Sequence, residues 1–476
     1  MIPERFTPVL EELAPLTARF AAANKRLYLV GGTVRDLLLG PASDAHLPGA
    51  SPDMDFDATT NALPHEIKSI IEGWADAVWA QGEKFGTIGA KKNGRVYEIT
   101  THRAEAYSPD SRKPDVQFSD DIEADLSRRD FTINAMALEL TSSSPVLVDP
   151  FNGAADLMTK VLRTPLSPEE SFNDDPLRML RAARFLSALN LTAEPGLVEA
   201  VKNMAPRLDI ISRERIQHEL DRLLTTDHPT AGLWFMVDTG LAAQFFPELP
   251  NMSVEQDPIH RHKDVLTHTL AVVENVRPTA HPTFDFRITR LAALFHDIGK
   301  PKTRAIHKGK GITFHHHEVV GARMTRDRLK ALKYSSEDVQ AITALVELHL
   351  RFHTYQMGWT DSAVRRYVRD AGPLLNELNV LTRCDCTTRN ERKALVLSQR
   401  MDELEKRIAE LMEKEELAAL RPELDGVEVM QRLGVKPGRE VGKALNFLME
   451  IRIEEGLLGA EEIGRRLDAW WSEQKN

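Results

Sequence analysis

The chain has 476 residues, 28% charged and 42% hydrophobic, with a formal net charge of −10. That length suits three or four domains of about 100–200 residues each, and the composition is that of a soluble globular protein. No apolar run reaches the roughly 18 residues of a membrane helix, MIPERFTPVLEEL lacks the features of a signal peptide, and the acidity means that an RNA partner needs a local basic patch.

Leu10, Leu13, Leu16 and Phe20 recur at helical spacing and predict a helix over 6–24, with Pro15 as a candidate break or kink. LYLVGGTVRDLLLG, residues 27–40, reads as a strand, a tight turn and a helix. Gly31-Gly32 lets backbone N–H groups approach an anion, because no Cβ is in the way. The helix beginning near Thr33 adds its positive end to the same spot. Arg35 can reach a phosphate with a forked pair of donors. A second strand follows in DMDFDATT, residues 53–60. Alternate strand residues share a face, so Asp55 and Asp57 come to one side. Paired carboxylates suit Mg²⁺, and two such ions clamp the attacking and leaving oxygens of an in-line displacement. Asp53 continues the alternation and is the other candidate partner of Asp55. Singly, these features also fit a tight turn and a solvated strand end; their order and close spacing favour phosphoryl transfer.

HEIKSIIEGWADAV, from His65, predicts a helix. FGTIGAKK and RVYEITTHR predict two strands joined by Asn93-Gly94, a strong hairpin signal. ALELTSSSPVLVDPF predicts another hairpin. From Ser167 onward helical patterns dominate: 167–248, a break at 249–263, and a second region to about 395. Residues 398–420 are charged and amphipathic, and 423–472 read as short helices.

In RRDFTINAMAL, residues 128–138, Arg129 can meet a triphosphate, Asp130 can accept from a ribose hydroxyl, and Asn134 can donate or accept. A helix start with Asp130 near its N-terminus explains the same acid. In DDPLRMLRAARF, residues 174–185, Asp175, Arg178, Arg181 and Arg184 recur every three residues. On one helix each such step drifts by about 60°, so the four fan across half the surface. A carboxylate accepts from an exocyclic amine and guanidiniums donate to ring nitrogens or carbonyls, so the set can hold a base edge and phosphates. Plain i,i+3 salt bridging is the alternative.

GGTVRD, the DxD pair, RRDFTINAMA and DDPLRMLRAARF stand in the order found in class II tRNA nucleotidyltransferases, the family of CCA-adding enzymes and bacterial poly(A) polymerases. The chain resembles that family over about residues 10 to 250. The resemblance implies that Gly31, Gly32 and Arg35 lie at the nucleotide phosphates and that Asp55 and Asp57 hold the metals. It implies triphosphate and ribose contacts for Arg129 and Asp130, with Asn134 beside them. Asp175 and Arg178 match the side chains that pair with the incoming base in place of a template, admitting C or A and excluding G and U. Arg181 and Arg184 match further nucleotide contacts. Asp174-Asp175 stands where the family usually has Glu-Asp. DPFNGAADL, Asp149 to Leu157, fits the flexible segment linked to switching from C to A. ERIQHELDRLL, from Glu214, fits the helix that braces the pairing helix.

Eleven of the sixteen histidines lie between His260 and His353. Imidazoles and carboxylates from separate helices can converge on a divalent transition metal. LFHDIGK resembles the HD phosphohydrolase superfamily. That match implies His268, His296, Asp297 and Asp385 as ligands, with His317 and His349 as the two extra histidines of two-metal members and Lys300 near a phosphate. A degenerate HD fold kept as a scaffold is the alternative. The only cysteines, Cys384 and Cys386, flank Asp385; they argue against a disulfide framework and for a reducing cytoplasm, and read as small buried residues.

The expected architecture is α+β: a nucleotidyltransferase head with a small mixed sheet over 1–150, an all-helical neck and body over 151–250, an HD domain over 258–395 and a helical tail over 396–476. The resemblance implies Mg²⁺-dependent addition of CCA to tRNA 3′ ends from CTP and ATP, with pyrophosphate leaving. Addition of A alone, to CC-ending tRNA or as poly(A), shares the short motifs; the absence of a long basic C-terminal extension leans toward CCA. A third reading is an HD phosphohydrolase with a non-catalytic nucleotide-binding N-terminal half, against which the DxD weighs. The body and tail are expected to grip the tRNA acceptor arm by shape and backbone charge, with Arg207, Arg213, Arg215 and Arg222 as candidate phosphate contacts. Neither a membrane nor an obligate protein partner is expected.

Overall fold

The computed structural model describes residues 3–40, 55–106, 115–254, 264–307, 311–354, 359–387, 391–415 and 421–474. The chain forms two compact units, Met1–Phe245 and Phe246–Asn476. Asp53 and His260 lie outside the described residues.

The first unit opens with the helix Thr7–Ala22, which buries Val9, Leu13, Leu16 and Phe20. It runs through Pro15, which sits on the exposed face, where water can satisfy the carbonyl left unpaired. Among the described residues up to 150 nine strands follow, β1 Leu27–Val30, β2 Phe56–Thr60, β3 Ala77–Trp79, β4 Thr87–Lys92, β5 Arg95–Thr101, β6 Arg103–Ala106, β7 Asp115–Phe118, β8 Ala137–Glu139 and β9 Val146–Val148, and a short parallel pair, Val161–Leu162 with Thr192–Ala193, comes later in the unit. Seven make one sheet in the order β3-β4-β5-β2-β1-β8-β9. β2 and β5 run parallel and pair Asp57 with Glu98. The other neighbours are antiparallel, which makes the sheet mixed, as the sequence indicates. Both Asn93 and Gly94 have positive φ, 50° and 85°, as the two-residue β4–β5 turn requires.

The helix expected over HEIKSIIEGWADAV is shorter. It spans Pro64–Ile71, and Gly73 at φ 69° turns the chain into β3. Val78 and Trp79 fit a pleated surface better than a helix.

Residues 168–238 carry five α-helices, Pro168–Asp174, Arg178–Ala188, Pro195–Met204, Arg213–Leu224 and Thr230–Asp238. DDPLRMLRAARF is therefore not one helix. Asp175 is extended, at φ −143° and ψ 101°, because the ring of Pro176 bars it from the helical region.

In the second unit the helices Val265–Asn275, Phe286–Phe295, His317–Ala331, Ser336–Leu348 and Leu375–Asp385 surround the histidine cluster. Asp264 and Asp285 start the first two by accepting from Thr267 N at 2.7 Å and Ile288 N at 2.9 Å. A small hairpin, Ala305–His307 with Gly311–Thr313, interrupts a region whose pattern is otherwise helical. The helices Asp361–Ala371, Glu391–Glu415, Gly426–Leu433, Arg439–Glu455 and Ala460–Gln474 follow. The last three close on a core of Val429, Leu448, Ile463 and Leu467. Among the described residues no helix is long and apolar enough to cross a membrane.

Candidate active site and metal centre

The turn after β1 sets up the first site. Gly31 has φ 73°, a conformation that L side chains rarely adopt, and the helix Gly32–Leu39 starts immediately after it. A Cβ on Gly31 would lie 3.4 Å from Arg129 Nη1 and 3.7 Å from Asp57 Oδ2, so the bare backbone sits between a guanidinium and a carboxylate. Asp55 directly precedes β2, and Asp55 and Asp57 are both exposed while Phe56 between them is buried.

The register adds a third acid. Glu98 lies opposite Asp57 on β5, and it too is exposed. Surrounding protein strips enough water from Asp57 to push its carboxyl above the ordinary value; Arg129 opposes this and Asp55 adds to it. Glu98 is pushed up by partial loss of water around its carboxyl, then by Asp57 and Asp55. Three carboxylates that repel one another and share one face are hard oxygen donors, the set a divalent cation such as Mg²⁺ fits.

Beside them opens a cleft of about 340 Å³ lined by Thr100, Arg103, Asp125, Arg128, Arg129, Asp130, Asp175, Leu177, Arg178, Arg181 and Arg215. Its charge is mostly guanidinium, which suits an anion. Arg35 is fixed at its edge by Asp36 Oδ1, 2.7 Å from Nε, and by Asn134 Oδ1, 2.8 Å from Nη1. Asn134 Nδ2 in turn donates to Asp130 Oδ1 at 3.0 Å. Asp130 precedes only a single 3-10 turn, Thr132–Asn134, and its Oδ1 accepts from Phe131 N at 2.9 Å. It is buried and accepts from Arg181 Nε at 2.8 Å and also from Arg181 Nη2. Burial opposes its ionisation, yet Arg181 and Asn134 hold it below the usual carboxylate range.

Asp175 and Arg178 both face the cleft. Arg178 is held by Ser171 Oγ at 2.9 Å and by the carbonyl of Arg128 at 2.5 Å. Asp175 Oδ1 accepts from Leu177 N at 3.1 Å. Arg184 does not line the cleft. It is 7% exposed, stacks 4.3 Å over the ring of Phe185, and donates from Nε to Glu219 Oε2 at 2.7 Å. Glu219 lies in ERIQHELDRLL, so the bracing expected of that helix is a buried ion pair. Arg215, expected on an RNA-binding surface, is instead 2.7 Å from Asp175 Oδ2. Arg207 donates to the carbonyl of Asn173 at 3.2 Å, and Arg213 lies 3.7 Å from Asp209. Asp149 accepts from Gly153 N at 2.7 Å and Ala154 N at 3.0 Å, which starts the helix Gly153–Thr159. Glu98 and Glu219 were missed by sequence reasoning, since each acquires its partner only through long-range pairing.

The second unit carries a separate cluster. His268, His296 and Asp385 offer ligand atoms within 4.8 Å of one another, and so do Asp297, His317 and His349. A close approach makes this possible. A Cβ on Gly299 would lie 2.2 Å from the carbonyl of His317, so only glycine lets the helix His317–Ala331 come this near. Nδ1 of His296, His317 and His349 meets the carbonyls of Ala293, Phe314 and Val346 at 2.8, 2.8 and 2.6 Å. Nδ1 of His268 meets Thr387 Oγ1 at 2.8 Å. Each ring is thus anchored on one nitrogen and presents Nε2 inward, the arrangement of metal-binding imidazoles. Asp297 stands between the groups: Oδ2 is 3.2 Å from His296 Nε2, and Oδ1 is 3.3 Å from His317 Nε2. Oδ2 is buried and accepts no hydrogen bond of good geometry, although Lys300 Nζ lies 2.7 Å away. Burial opposes a charge on His296, but Asp297 and Asp385 push it up to about 10, while burial and His296 push His349 down to about 4. A divalent cation would resolve this tension, and the donors fit one. Lys300, expected at a phosphate, is ion-paired with Asp297. Cys384 and Cys386 are half-buried, not fully buried, and unbonded to each other.

Comparison with known proteins agrees with this division. Residues 27–163 match the poly(A) polymerase head domain, 190–252 the probable RNA- and SrmB-binding site of polymerase A, and 265–390 the HD domain. An A-adding tRNA nucleotidyltransferase of Deinococcus radiodurans is 32% identical over 457 residues, covering 94% of this chain and 95% of that protein. A CCA-adding enzyme of Streptococcus thermophilus is 30% identical over 476 residues, covering 97% and 96%. The crystal structure of the Bacillus stearothermophilus CCA-adding enzyme in complex with CTP shares the fold, with a TM-score of 0.69 at 24% identity and 99% of each chain covered. With a glycine turn at a helix start, an acidic triad, an arginine-lined cleft and full-length relatives in agreement, the chain is a nucleotidyltransferase of the family of tRNA nucleotidyltransferases and poly(A) polymerases, with an HD domain in its second half.

Proposed function

We propose that this enzyme adds CCA to tRNA 3′ ends from CTP and ATP. The observation that carries the reading is the adjacency of Asp55, Asp57 and Glu98 to an arginine-lined cleft holding Asp175 and Arg178. The terminal hydroxyl of the tRNA attacks the α-phosphorus of the bound nucleotide, and pyrophosphate leaves. Asp55 and Asp57 would hold Mg²⁺, which would supply charge neutralisation at the attacking and leaving oxygens. Arg35 and Arg129 orient the triphosphate beside the backbone of Gly31 and Gly32. Asp130 and Asn134 face the ribose. Asp175 accepts from the exocyclic amine of C or A, and Arg178 donates to the ring. A positioned hydroxyl and a fixed triphosphate account for most of the rate, since this chemistry needs little else from the protein.

Residues 1–150 act as the catalytic head, 151–250 as neck and body, 258–395 as the HD domain and 396–476 as the tail. The tRNA acceptor arm is bound by shape and backbone charge, and a tRNA substrate makes the cytoplasm the place of action. In the HD domain His268, His296, Asp297 and Asp385 hold a divalent transition metal.

Likeness of similar extent to an A-adding and to a CCA-adding relative makes nucleotide range the property to measure. The purified protein is incubated with Mg²⁺ and a tRNA transcript lacking CCA, with CTP alone, ATP alone, then both. Two residues added with CTP and three with both are expected. Addition of A only, to CC-ending tRNA, replaces this reading with an A-adding enzyme.

A further inference from the structure

The four clustered histidines of the second unit are not anchored alike. Nδ1 of His296, His317 and His349 lies against the carbonyls of Ala293, Phe314 and Val346. A carbonyl only accepts, so each Nδ1 keeps its proton and Nε2 is the nitrogen left to bind a cation. His268 Nδ1 instead meets a hydroxyl, Thr387 Oγ1, at 2.8 Å. A hydroxyl accepts or donates, so it serves both tautomers of the His268 ring.

Both tautomers have a use. Asp385 ends the helix Leu375–Asp385, and Cys386 follows at φ −74° and ψ 76°. This is an inverse γ-turn, closed by Thr387 N donating to the Asp385 carbonyl at 2.8 Å. The turn sets its two flanking side chains on the two nitrogens of one imidazole: Asp385 Oδ1 is 2.9 Å from His268 Nε2. With the proton on Nε2, His268 donates to Asp385 and the Thr387 hydroxyl donates to Nδ1. With the proton on Nδ1, His268 donates to Thr387 and frees Nε2 as a ligand. The exchange leaves the net charge unchanged. His317 and His349 lack this freedom. Their Nε2 atoms are 3.3 Å apart, and in the neutral rings two lone pairs meet there, which a shared cation relieves. His268 and His296 stand equally close at Nε2, but His268 can place its proton between them. The side chains of His268 and Asp385 are also partly exposed, at 13% and 17%, whereas Asp297, His317 and His349 are buried.

We propose that Thr387 is a positioning residue which, acting through His268, makes the cation site of His268, His296 and Asp385 a reversible one beside a tightly held site at Asp297, His317 and His349. The inference rests on the metal reading of the HD domain above. When a cation leaves the first site, His268 and Asp385 satisfy each other. The second site has no such fallback.

The test titrates full-length protein, first dialysed against chelator, with Co²⁺, whose visible absorption reports coordination. Wild type should bind two ions with dissociation constants roughly tenfold or more apart. Thr387→Val nearly keeps the volume and removes the hydroxyl. It should weaken the looser ion by about 10- to 100-fold, the usual effect of losing the partner of a ligand histidine, and leave the tighter one unchanged. Thr387→Ser should bind as wild type does. In a His268→Gln background, Thr387→Val should have no further effect. Equal weakening of both ions, or no recovery in Thr387→Ser, makes Thr387 a packing residue and overturns the proposal. So does a wild type that holds both ions equally tightly, or a Thr387→Val titration that matches wild type. Wild-type protein that binds no Co²⁺ overturns the metal reading itself.

Discussion

Glu219→Ala should destabilise the first unit severely although residue 219 does not itself line the cleft. Glu219 is 4% exposed and receives Arg184 Nε at 2.7 Å, with Arg181 Nη1 at 3.8 Å. Burial pulls the Arg184 guanidinium below its ordinary value and Glu219 holds it up. Alanine leaves that cation buried in the helix Arg178–Ala188 without its carboxylate. Removing one member of a buried pair costs about 3–5 kcal/mol. With an m-value of about 3 kcal/mol per molar urea, the upper end of the usual range, the midpoint falls by about 1–2 M. Because the chain has two units, a single global midpoint is not meaningful. Pulse proteolysis read by mass spectrometry of peptides from residues 1–245 isolates the relevant transition. The double replacement Arg184→Met with Glu219→Leu should recover most of the loss, since packed apolar residues substitute well for a buried pair. A single variant as stable as wild type, or a double variant as unstable as the single one, would refute the argument that an orphaned charge is the cause.

Asp57→Asn should lower kcat for CMP and AMP addition by about 10³-fold or more while nucleotide binding persists, as expected when several kcal/mol of transition-state charge stabilisation is lost; single-turnover kinetics with separate CTP titrations check this. Glu98→Gln should lower kcat less, by about 10- to 100-fold, and an unchanged rate would remove Glu98 from the site. Asp297→Asn should abolish divalent-metal retention, measured by elemental analysis of dialysed protein, and leave CCA addition intact; loss of CCA addition in a folded variant would contradict the separation of the two sites. His102 is 1% exposed and hydrogen-bonds Thr59 Oγ1 at 2.8 Å, and burial pushes its pKa down to about 4 from 6.5. The unfolded chain therefore binds a proton that the folded one refuses between these values. Stability should be full above pH 6.5 and fall by about 1.4 kcal/mol per pH unit down to about pH 4. Proteolysis midpoints of the first unit at pH 7.5 and 5 test this, and His102→Asn should flatten the acid limb.

Features written within a few neighbouring residues were legible in the sequence. The turn at Gly31-Gly32, the alternation of Asp55 and Asp57, the Asn93-Gly94 hairpin and the anchored histidines each need only local periodicity or a motif. Glu98 became visible only through the parallel register of β2 with β5, which no local pattern announces. Arg215 and Glu219 look like ordinary charges on an amphipathic helix until the helix Arg178–Ala188 packs against them. Two differences had signals that were outweighed. Pro176 marks Asp175 as extended, but the threefold spacing of the arginines suggested a continuous helix. Gly73 marks the end of the helix begun at Pro64, but the apolar run beyond it carried the pattern on.

One chain of contacts has a geometric corollary. Arg35, Asn134, Asp130, Arg181, Glu219 and Arg184 meet in series, so the helix after the Gly31 turn and the helix Arg178–Ala188 are tied by partly buried polar contacts. Such a series acts as a ruler of fixed length. A pyrimidine and a purine differ in width, and a ruler cannot stretch for one and shrink for the other. Accommodation of both must come from residues outside the series.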